Sequence, residues 1–453
     1  MIFNCDARHI PLPDKSINCV ITSPPYYALR KYDIPDVIWD EDPACSHDWE
    51  IRESEKTLVT FAPTGSASRK KLENIDDEGR ANLPPLDLTS ATCKKCGAWR
   101  GQLGCEPHYD NYVRHLCDIF DEVKRVLRDD GIMFVNISDS YGGSGGDSGK
   151  KLGTERKGGS RGIDVRPVGI GQEVVLNERG YIAIPPQSQK FTPKSLLGIP
   201  ERFMLEMLNR GWILRNKIVW HKPNTLPHSV KDRFTVDWEP IFFFAKKKDY
   251  FFDQQFEPYD DVKKWGVNKD GSYYGIGQKD YEGAEVQNPS DVKRRIIESR
   301  NPLGRNKRCV WKIPTRGISS AHFAIFPDDL VKPMILAGVP EQQCQKCGKP
   351  REKIYDSEYL GDYDTKVNKP RPDPRDPREF KEKNMNQYKK KLIESTDCGC
   401  EAGWEAGAVL DPFAGSGTTI RVAEKLGRRG YGCDLGYAEL SAERTQNVQR
   451  EWG

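Results

Sequence analysis

The sequence predicts an α/β fold with a mostly parallel sheet and helices on both faces. Three stretches predict it. The C-terminal "AVLDPFAGSGTTIRVAEKLGRRGYGCDLGYAELSAERTQ" reads as strand, glycine loop, helix, strand, acid and helix. "YVRHLCDIFDEVKRVLRDDGIMFVNISDSY" reads as an amphipathic helix and a following strand. "SINCVITSPPYY" is a short apolar run that stops at a double proline. Helices alternating with apolar strands favour a parallel sheet. The 453 residues suit one large domain with insertions, or two to three small ones.

The elements follow in chain order. Ile17 and Cys19 to Ile21 make a buried strand with a loop at its carboxyl end. In that loop Pro24 and Pro25 fix their own φ, lack backbone donors, and hold the residue before them extended. Residues 41–92 are polar and irregular, an insertion. Val113, Leu116, Ile119, Phe120, Val123, Val126 and Leu127 recur at helical spacing, with Gly131 as the stop. Residues 142–190 are rich in glycine, serine and lysine and cannot build a core; they read as a mobile loop able to close over a ligand. "SLLGIPERFMLEMLNRG" is a helix with Pro200 in its first turn, "WILRNKIVWHKPN" a strand, and "WEPIFFFAKKKDYFF" a strand and hairpin. Residues 253–305 lack periodicity, and 365–391 are a solvated loop of prolines and cations.

Composition excludes several classes. The chain carries 70 basic and 67 acidic residues, a net charge of +3, so any nucleic-acid face is a local patch. No apolar run reaches the roughly 18–20 residues of a membrane span, and the N-terminus lacks a basic-then-apolar signal. The expectation is a cytoplasmic protein. Its 13 cysteines, an odd number, argue against a disulfide framework. Eight ligand-type residues fall into two groups instead: Cys45, His47, Cys93 and Cys96, and Cys344, Cys347, Cys398 and Cys400. Each holds a Cys-x-x-Cys knuckle followed by glycine, the pattern of structural zinc. Free thiols are the plain alternative, and Cys105 or His108 are alternative ligands in the first group.

The glycine loop suggests a ligand. Gly415 and Gly417 let the backbone turn tightly and approach a bound molecule. Thr418 and Thr419 open a helix, and Asp434 ends the next strand about 20 residues after the loop, placed for ribose hydroxyls. "AGSGTT" lacks the lysine of a phosphate loop, and Asp411 repels phosphate. A cationic or zwitterionic nucleoside fits better. The plain alternative is a βαβ unit with a glycine turn.

"DPFAGSGTT" together with "TSPPY" resembles the exocyclic-amino DNA methyltransferases that use S-adenosylmethionine. The catalytic motif comes first and the cofactor motif last, which is similar to the beta class of that family. "NCDARHIPLPDKSINCVITSPPY", "IVWHKPNTLPHSVKDRFTVDWEPIFFFAK" and "AHFAIFPDDLVKPMI" match further pieces in order, and the cysteine groups resemble a subset with zinc-ribbon insertions. The resemblance thins out at 45–105, 142–190, 255–300 and 345–400. It implies a Rossmann-like methyltransferase core in permuted order. The catalytic motif lies in 1–44, a first zinc insertion in 45–105, core in 106–252, target recognition in 253–308, core in 309–343, a second zinc insertion in 344–405 and the cofactor motif in 406–453. For the cofactor it implies Asp6, Thr22, Phe326, Asp411, Pro412, Phe413, Gly415, Ser416, Gly417, Thr418, Thr419 and Asp434. For catalysis it implies Ser23, Pro24, Pro25 and Tyr26.

The chemistry of "TSPPYY" agrees. An exocyclic amine is a poor nucleophile because its lone pair is delocalised into the ring. Acceptors for both amine hydrogens, here the Ser23 hydroxyl or carbonyl and the Pro24 carbonyl, favour a pyramidal nitrogen. Tyr26 would stack on the flipped base. In-line methyl transfer then depends on positioning. No Pro-Cys nucleophile for ring-carbon methylation is present. Members with serine before the double proline are more often cytosine-N4 than adenine-N6 enzymes, so cytosine-N4 is expected. Other classes stay open: a methyltransferase of protein amides, or a non-catalytic zinc-dependent DNA-binding protein. The zinc groups read as clamps on long loops. Lys222, Arg233, Lys293, Arg294, Arg295, Arg305, Lys307 and Arg308 are the candidate contacts to double-stranded DNA, and His221 and His228 read as structural or DNA-facing. A cognate restriction enzyme would be encoded elsewhere; monomer and homodimer both stay open.

Overall fold

A computed structural model describes residues 1–28, 32, 34–52, 90–141, 175–176, 182–183, 194–225, 231–258, 304–315, 327–351, 353–359 and 388–445. Two compact units emerge: Met1–Phe251 with Val310–Val339 and Ala406–Gly453, and Phe252–Cys309 with Pro340–Glu405.

The first unit is built on an eight-stranded sheet. Its strands are β1 (Ile2–Asn4), β2 (Ile17–Thr22), β3 (Leu127–Asn136), β4 (Ile213–His221), β5 (Trp238–Ala245), β6 (Val310–Lys312), β7 (Ala408–Asp411) and β8 (Arg429–Asp434). The spatial order is β1-β8-β7-β2-β3-β5-β4-β6. Only β5 runs against its neighbours; every other pairing is parallel. The chain ends meet in the middle. Val409 of β7 pairs with Cys19 of β2, and the N-terminal amine donates to the Gly430 carbonyl at 2.7 Å.

Helices cover both faces, as a parallel sheet requires. They are α1 (Tyr109–Val126), α2 (Ile199–Asn209), α3 (Asp328–Gly338), α4 (Thr418–Lys425) and α5 (Ala438–Thr445). β2 is buried along its whole length and alternates between the two cores. Val20 joins Leu116, Phe120 and Phe203 of α1 and α2 on one face, while Cys19 and Ile21 join Leu330, Met334 and Val422 of α3 and α4 on the other. The helix-spacing expectation ran to Gly131, but α1 ends at Val126. Leu127 is already extended and pairs with Ile17, with a register shift before Cys19. Sheet pairing overrides the apolar period there. Asp139, just past β3, accepts from the Gly198 and Ile199 amides at 3.0 Å and so caps α2, which lacks a cap of its own.

The first insertion adds a four-stranded antiparallel sheet of Val37–Trp39, Trp49–Arg52, Ser90–Cys93 and Trp99–Gly101. In the second unit, Phe256–Glu257 pairs with Arg305–Asn306, Gln343–Cys344 with Trp404–Glu405, and Lys353–Tyr359 with Tyr388–Ser395. Among the described residues no helix is long and apolar enough to cross a membrane. Apart from the pair Val175–Leu176 with Ile182–Ala183, nearly all of the 142–190 loop lies outside the described residues, as does 259–303 of the recognition segment.

The last turn of α3 sits directly on the sheet. A Cβ on Gly338 would lie 2.7 Å from Cys19 Sγ and 2.9 Å from Ile132 Cδ1. Gly338→Ala is therefore expected to destabilise the protein by about 1–3 kcal/mol through overpacking, read as a lowered urea midpoint with an unchanged slope.

Candidate active site

The carboxyl ends of β2, β3, β7 and β8 converge on one cavity of about 540 Å³, within the roughly 300–1,000 Å³ range of cofactor sites. Asp6, Ser23, Pro24, Pro25, Tyr26, Asp411, Pro412, Phe413, Gly415, Ser416, Thr418 and Asp434 all line it. Sequence reasoning placed these residues at both chain ends; the β2–β7 pairing brings them together. Thr22, Gly417 and Thr419 stand behind the wall, and Phe326 lies outside the described residues.

Asp411 is the anchor. Its buried carboxylate accepts from Thr22 Oγ1 at 2.6 Å, Thr419 Oγ1 at 2.8 Å and the Phe413 amide at 3.1 Å. It thus ties the end of β7 to the end of β2 and to α4. Burial, only partly offset by these donors, pushes its carboxyl up to about 6. The glycine loop follows. Gly417 is left-handed at φ 75°, and a Cβ there would meet Ser441 Oγ at 2.2 Å. Gly415 is also left-handed, but a Cβ there would meet only Phe413 O, at 3.9 Å. Asp434 accepts from the amides of Gly415 (2.8 Å), Gly436 (2.9 Å) and Tyr437 (2.6 Å). A carboxylate has about four acceptor sites, so one remains for a ligand hydroxyl. Asp6 is gripped by Arg8, whose Nη2 donates at 2.6 Å, while Nη1 of the same arginine donates to the Ile38 carbonyl. The loop and these acids fit a nucleoside with a cationic centre.

The double-proline loop is framed from two sides. Tyr112 of α1 donates its hydroxyl to the Pro25 carbonyl at 2.8 Å. The Pro25 carbonyl is therefore already paired, while among the described residues no donor reaches the Ser23 or Pro24 carbonyl. Ser23 Oγ donates to Tyr26 Oη at 3.1 Å. Tyr26 Oη lies 3.0 Å from Asn136 Oδ1 and 3.1 Å from Glu239 Oε2. Burial, and then the Glu239 charge, hold the Tyr26 hydroxyl well above the usual phenol range, so it stays neutral.

Asn136 and Glu239 were missed as site residues. A signal existed: each is a polar residue beside the apolar stretch of its strand, Ile132–Val135 or Pro240–Ala245, at one edge of the sheet. Lys222, a candidate DNA contact, lines the cavity, pairs with Glu239 and lies 4.4 Å over the Trp220 ring. His221 faces Asp237 at 3.5 Å. Arg233 lies 3.4 Å over the Tyr141 ring. Arg305 and Arg308 both pair with Glu257, and the Lys307 amide donates to Gln255 O. Lys293, Arg294, Arg295 and His228 lie outside the described residues.

The first insertion is part of the cavity. Trp39, Gln102 and Leu103 from its edges line the wall. Gln102 Nε2 donates to the carbonyls of Tyr32 (3.0 Å) and Ile34 (2.7 Å). His115 of α1, buried, stacks on Trp39 at 4.5 Å and joins Glu106 and Asp40, each at 3.1 Å. Each cysteine group brings four donor atoms within 4.8 Å of one another. Cys45 and Cys93 sulfurs are 3.9 Å apart and Cys96 Sγ is 3.4 Å from His47 Nδ1, spacings that suit tetrahedral bonds of about 2.0–2.3 Å. Both knuckles turn through a left-handed glycine, Gly97 and Gly348. Cys105 is buried outside the group, and His108 caps α1 by accepting from the Asp110 amide.

Two outcomes follow. Elemental analysis of the purified chain should find two zinc ions, falling to one in Cys344→Ser. The Asp411 carboxyl holds its proton to about 6 when folded, against the ordinary 3.8 of a free aspartate. The native state therefore binds the extra proton between those values, and the stability Asp411 contributes falls as pH rises from about 4 to about 6. Asp411→Asn should lack this slope, read as the wild-type-minus-variant difference in unfolding free energy across that range.

A family model described as DNA methylase, N6_N4_Mtase, matches residues 17–345 and 368–442. The type II methyltransferase M.SmaI of Serratia marcescens is 28% identical over 346 residues, 76% of this chain and 77% of that protein. M.Cfr9I of Citrobacter freundii, also a type II methyltransferase, is 28% identical over 338 residues, 74% of this chain and 71% of its own. Among solved structures, PvuII DNA methyltransferase (cytosine-N4-specific) aligns over 99% of this chain and 87% of its own, at 14% identity and a TM-score of 0.39. With the family model matching most of the sequence, and the glycine loop and double-proline loop meeting in one cavity, this chain belongs to the N6/N4 DNA methylase family.

Proposed function

We propose that this protein transfers a methyl group from S-adenosylmethionine to the exocyclic amine of a base flipped out of double-stranded DNA, with cytosine N4 as the target. One observation carries the reading. Ser23 Oγ gives its hydrogen to Tyr26, so its lone pairs, and the Pro24 carbonyl beside it, which has no donor among the described residues, are left as acceptors at a cavity shared with the glycine loop. Two adjacent acceptors match the two hydrogens of an amino group. Membership of the family, and the type II methyltransferases among its relatives, support DNA as the substrate and a role in modification alongside a restriction enzyme.

When bound, S-adenosylmethionine supplies an electrophilic methyl on sulfonium. The chain's own residues do the rest. Asp434 and Asp6 offer carboxylate oxygens to the nucleoside end, and Pro412, Phe413 and the Gly415 loop form its bed. Ser23 and Pro24 orient the amine's lone pair, and the Tyr26 ring holds the base face. The choice of cytosine rests on a tendency of the family, in which serine before the double proline is more often found in cytosine-N4 enzymes and aspartate in adenine-N6 enzymes. Zinc at the two cysteine groups would clamp the ends of long polar loops. Arg233, Arg305, Lys307 and Arg308 remain candidates for phosphate contact.

The protein incubated with labelled S-adenosylmethionine and unmethylated genomic DNA should yield N4-methylcytosine by nucleoside mass spectrometry. N6-methyladenine would overturn the base assignment, and a label in protein the substrate class. Tyr26→Ala should remove a stacking contact of about 1–3 kcal/mol and slow DNA methylation by roughly 10- to 100-fold with cofactor binding retained.

A further inference from the structure

We propose that Ser23, Tyr26 and Glu239 form a proton relay that carries the surplus proton of the methylated amine to a carboxylate at the cavity edge. The inference rests on the methyl-transfer reading above. It holds for either exocyclic amine.

The chemistry demands an outlet. Methyl transfer forms an N–C bond as the donor's C–S bond breaks, and leaves the nitrogen with one proton too many. Of the two acceptors beside the amine, the Pro24 carbonyl has no proton to pass on. The Ser23 hydroxyl has one, and it already points at Tyr26 Oη, 3.1 Å away. Tyr26 Oη in turn reaches Glu239 Oε2 at 3.1 Å. The donors therefore run in one direction, from the base side outward. The N–H bond breaks as its proton passes to Ser23 Oγ. Ser23 hands its own proton to Tyr26, and Tyr26 hands its own to Glu239 Oε2. One N–H bond is exchanged for one carboxyl O–H bond. Both hydroxyls end neutral, and no electrons change hands.

The surroundings fit a relay. Tyr26 is partly buried, and its hydroxyl, held well above the usual range by desolvation, works as a neutral carrier that accepts on one side and donates on the other. The Glu239 side chain is 13% exposed, so the accepting carboxylate is in partial contact with solvent. Asn136 Oδ1 at 3.0 Å competes for the tyrosine hydrogen, but a neutral amide oxygen is a poorer acceptor than a carboxylate. The groups facing Glu239 are Lys222 from the end of β4, which pairs with the other oxygen, Oε1, and Tyr26 from the loop after β2. Asn136 from β3 faces the same tyrosine and carries no charge. Lys222 thus leaves Oε2 to the tyrosine, and both neighbours hold the carboxylate in place.

The test uses the full chain, labelled S-adenosylmethionine and unmethylated genomic DNA in single turnover. Glu239→Gln keeps the shape and hydrogen-bonding reach of the residue but cannot hold the proton. It should bind cofactor as the wild type does and methylate roughly 100-fold more slowly. Tyr26→Phe breaks the chain one link earlier, and the Tyr26→Phe/Glu239→Gln double variant should be no slower than the slower single. In mixed light and heavy water the wild-type rate should fall along a curve, because several protons move together. Wild-type rate in Glu239→Gln, or single losses that multiply in the double variant, would overturn the relay. Should Glu239→Gln fail to fold, a linear or flat dependence of the wild-type rate on heavy water overturns it instead. Absence of label in DNA with the wild type is a different result, and sinks the methyl-transfer reading itself.

Discussion

The molecule turns on one buried carboxylate. Asp411 joins residues 389 positions apart in sequence when it accepts from Thr22. The same carboxylate holds the first turn of α4 through Thr419 and the glycine loop through the Phe413 amide. Burying a charge is costly unless donors surround it, and the three donors here come from both chain ends. The cofactor loop and the double-proline loop are therefore set against each other by a single group. The N-terminal amine on Gly430 and the β1–β8 pairing close the same seam.

From that seam the functional groups fan out along one edge of the sheet. Strand β8 contributes Asp434, β2 leads into Ser23 and Tyr26, β3 ends in Asn136, and β4 and β5 bring Lys222 and Glu239. Most sit where a strand ends and its backbone amides and carbonyls lose their ladder partners, while Glu239, near the start of β5, stays paired with Trp220. Asp434 meets that need for three amides, and Tyr112 meets it for the Pro25 carbonyl. The Ser23 and Pro24 carbonyls are left without a donor among the described residues, which is what the proposed contact to a substrate amine requires. The local rules of hydrogen-bond satisfaction thus separate structural groups from reactive ones.

The first insertion is more than an appendage. Its tryptophans pack on His115 of α1, Gln102 fixes Tyr32 and Ile34, and Gly104 approaches the Tyr26 carbonyl so closely that a Cβ would lie 3.0 Å from it. The cysteine and histidine cluster therefore sits at the far end of a wall that begins at the catalytic loop. A clamp on a loop and a support for the cavity are here the same object.

Much of this was legible in the sequence, because the signals were local. Glycines before a helix, prolines after an apolar run and paired Cys-x-x-Cys knuckles each impose a backbone geometry within a few residues. The helix over Tyr109–Val126 and the strand–loop–helix unit at the C-terminus rest on period alone. What the sequence could not decide was pairing across distance. That Leu127 joins the sheet instead of α1 follows from its partner Ile17. That Lys222 faces Glu239 follows from the antiparallel β4–β5 register. That Tyr26 stands between Ser23 and Glu239 depends on three strands meeting at one edge. Such contacts join residues from 17 to 213 positions apart, and no local propensity encodes them; only the packed sheet selects them.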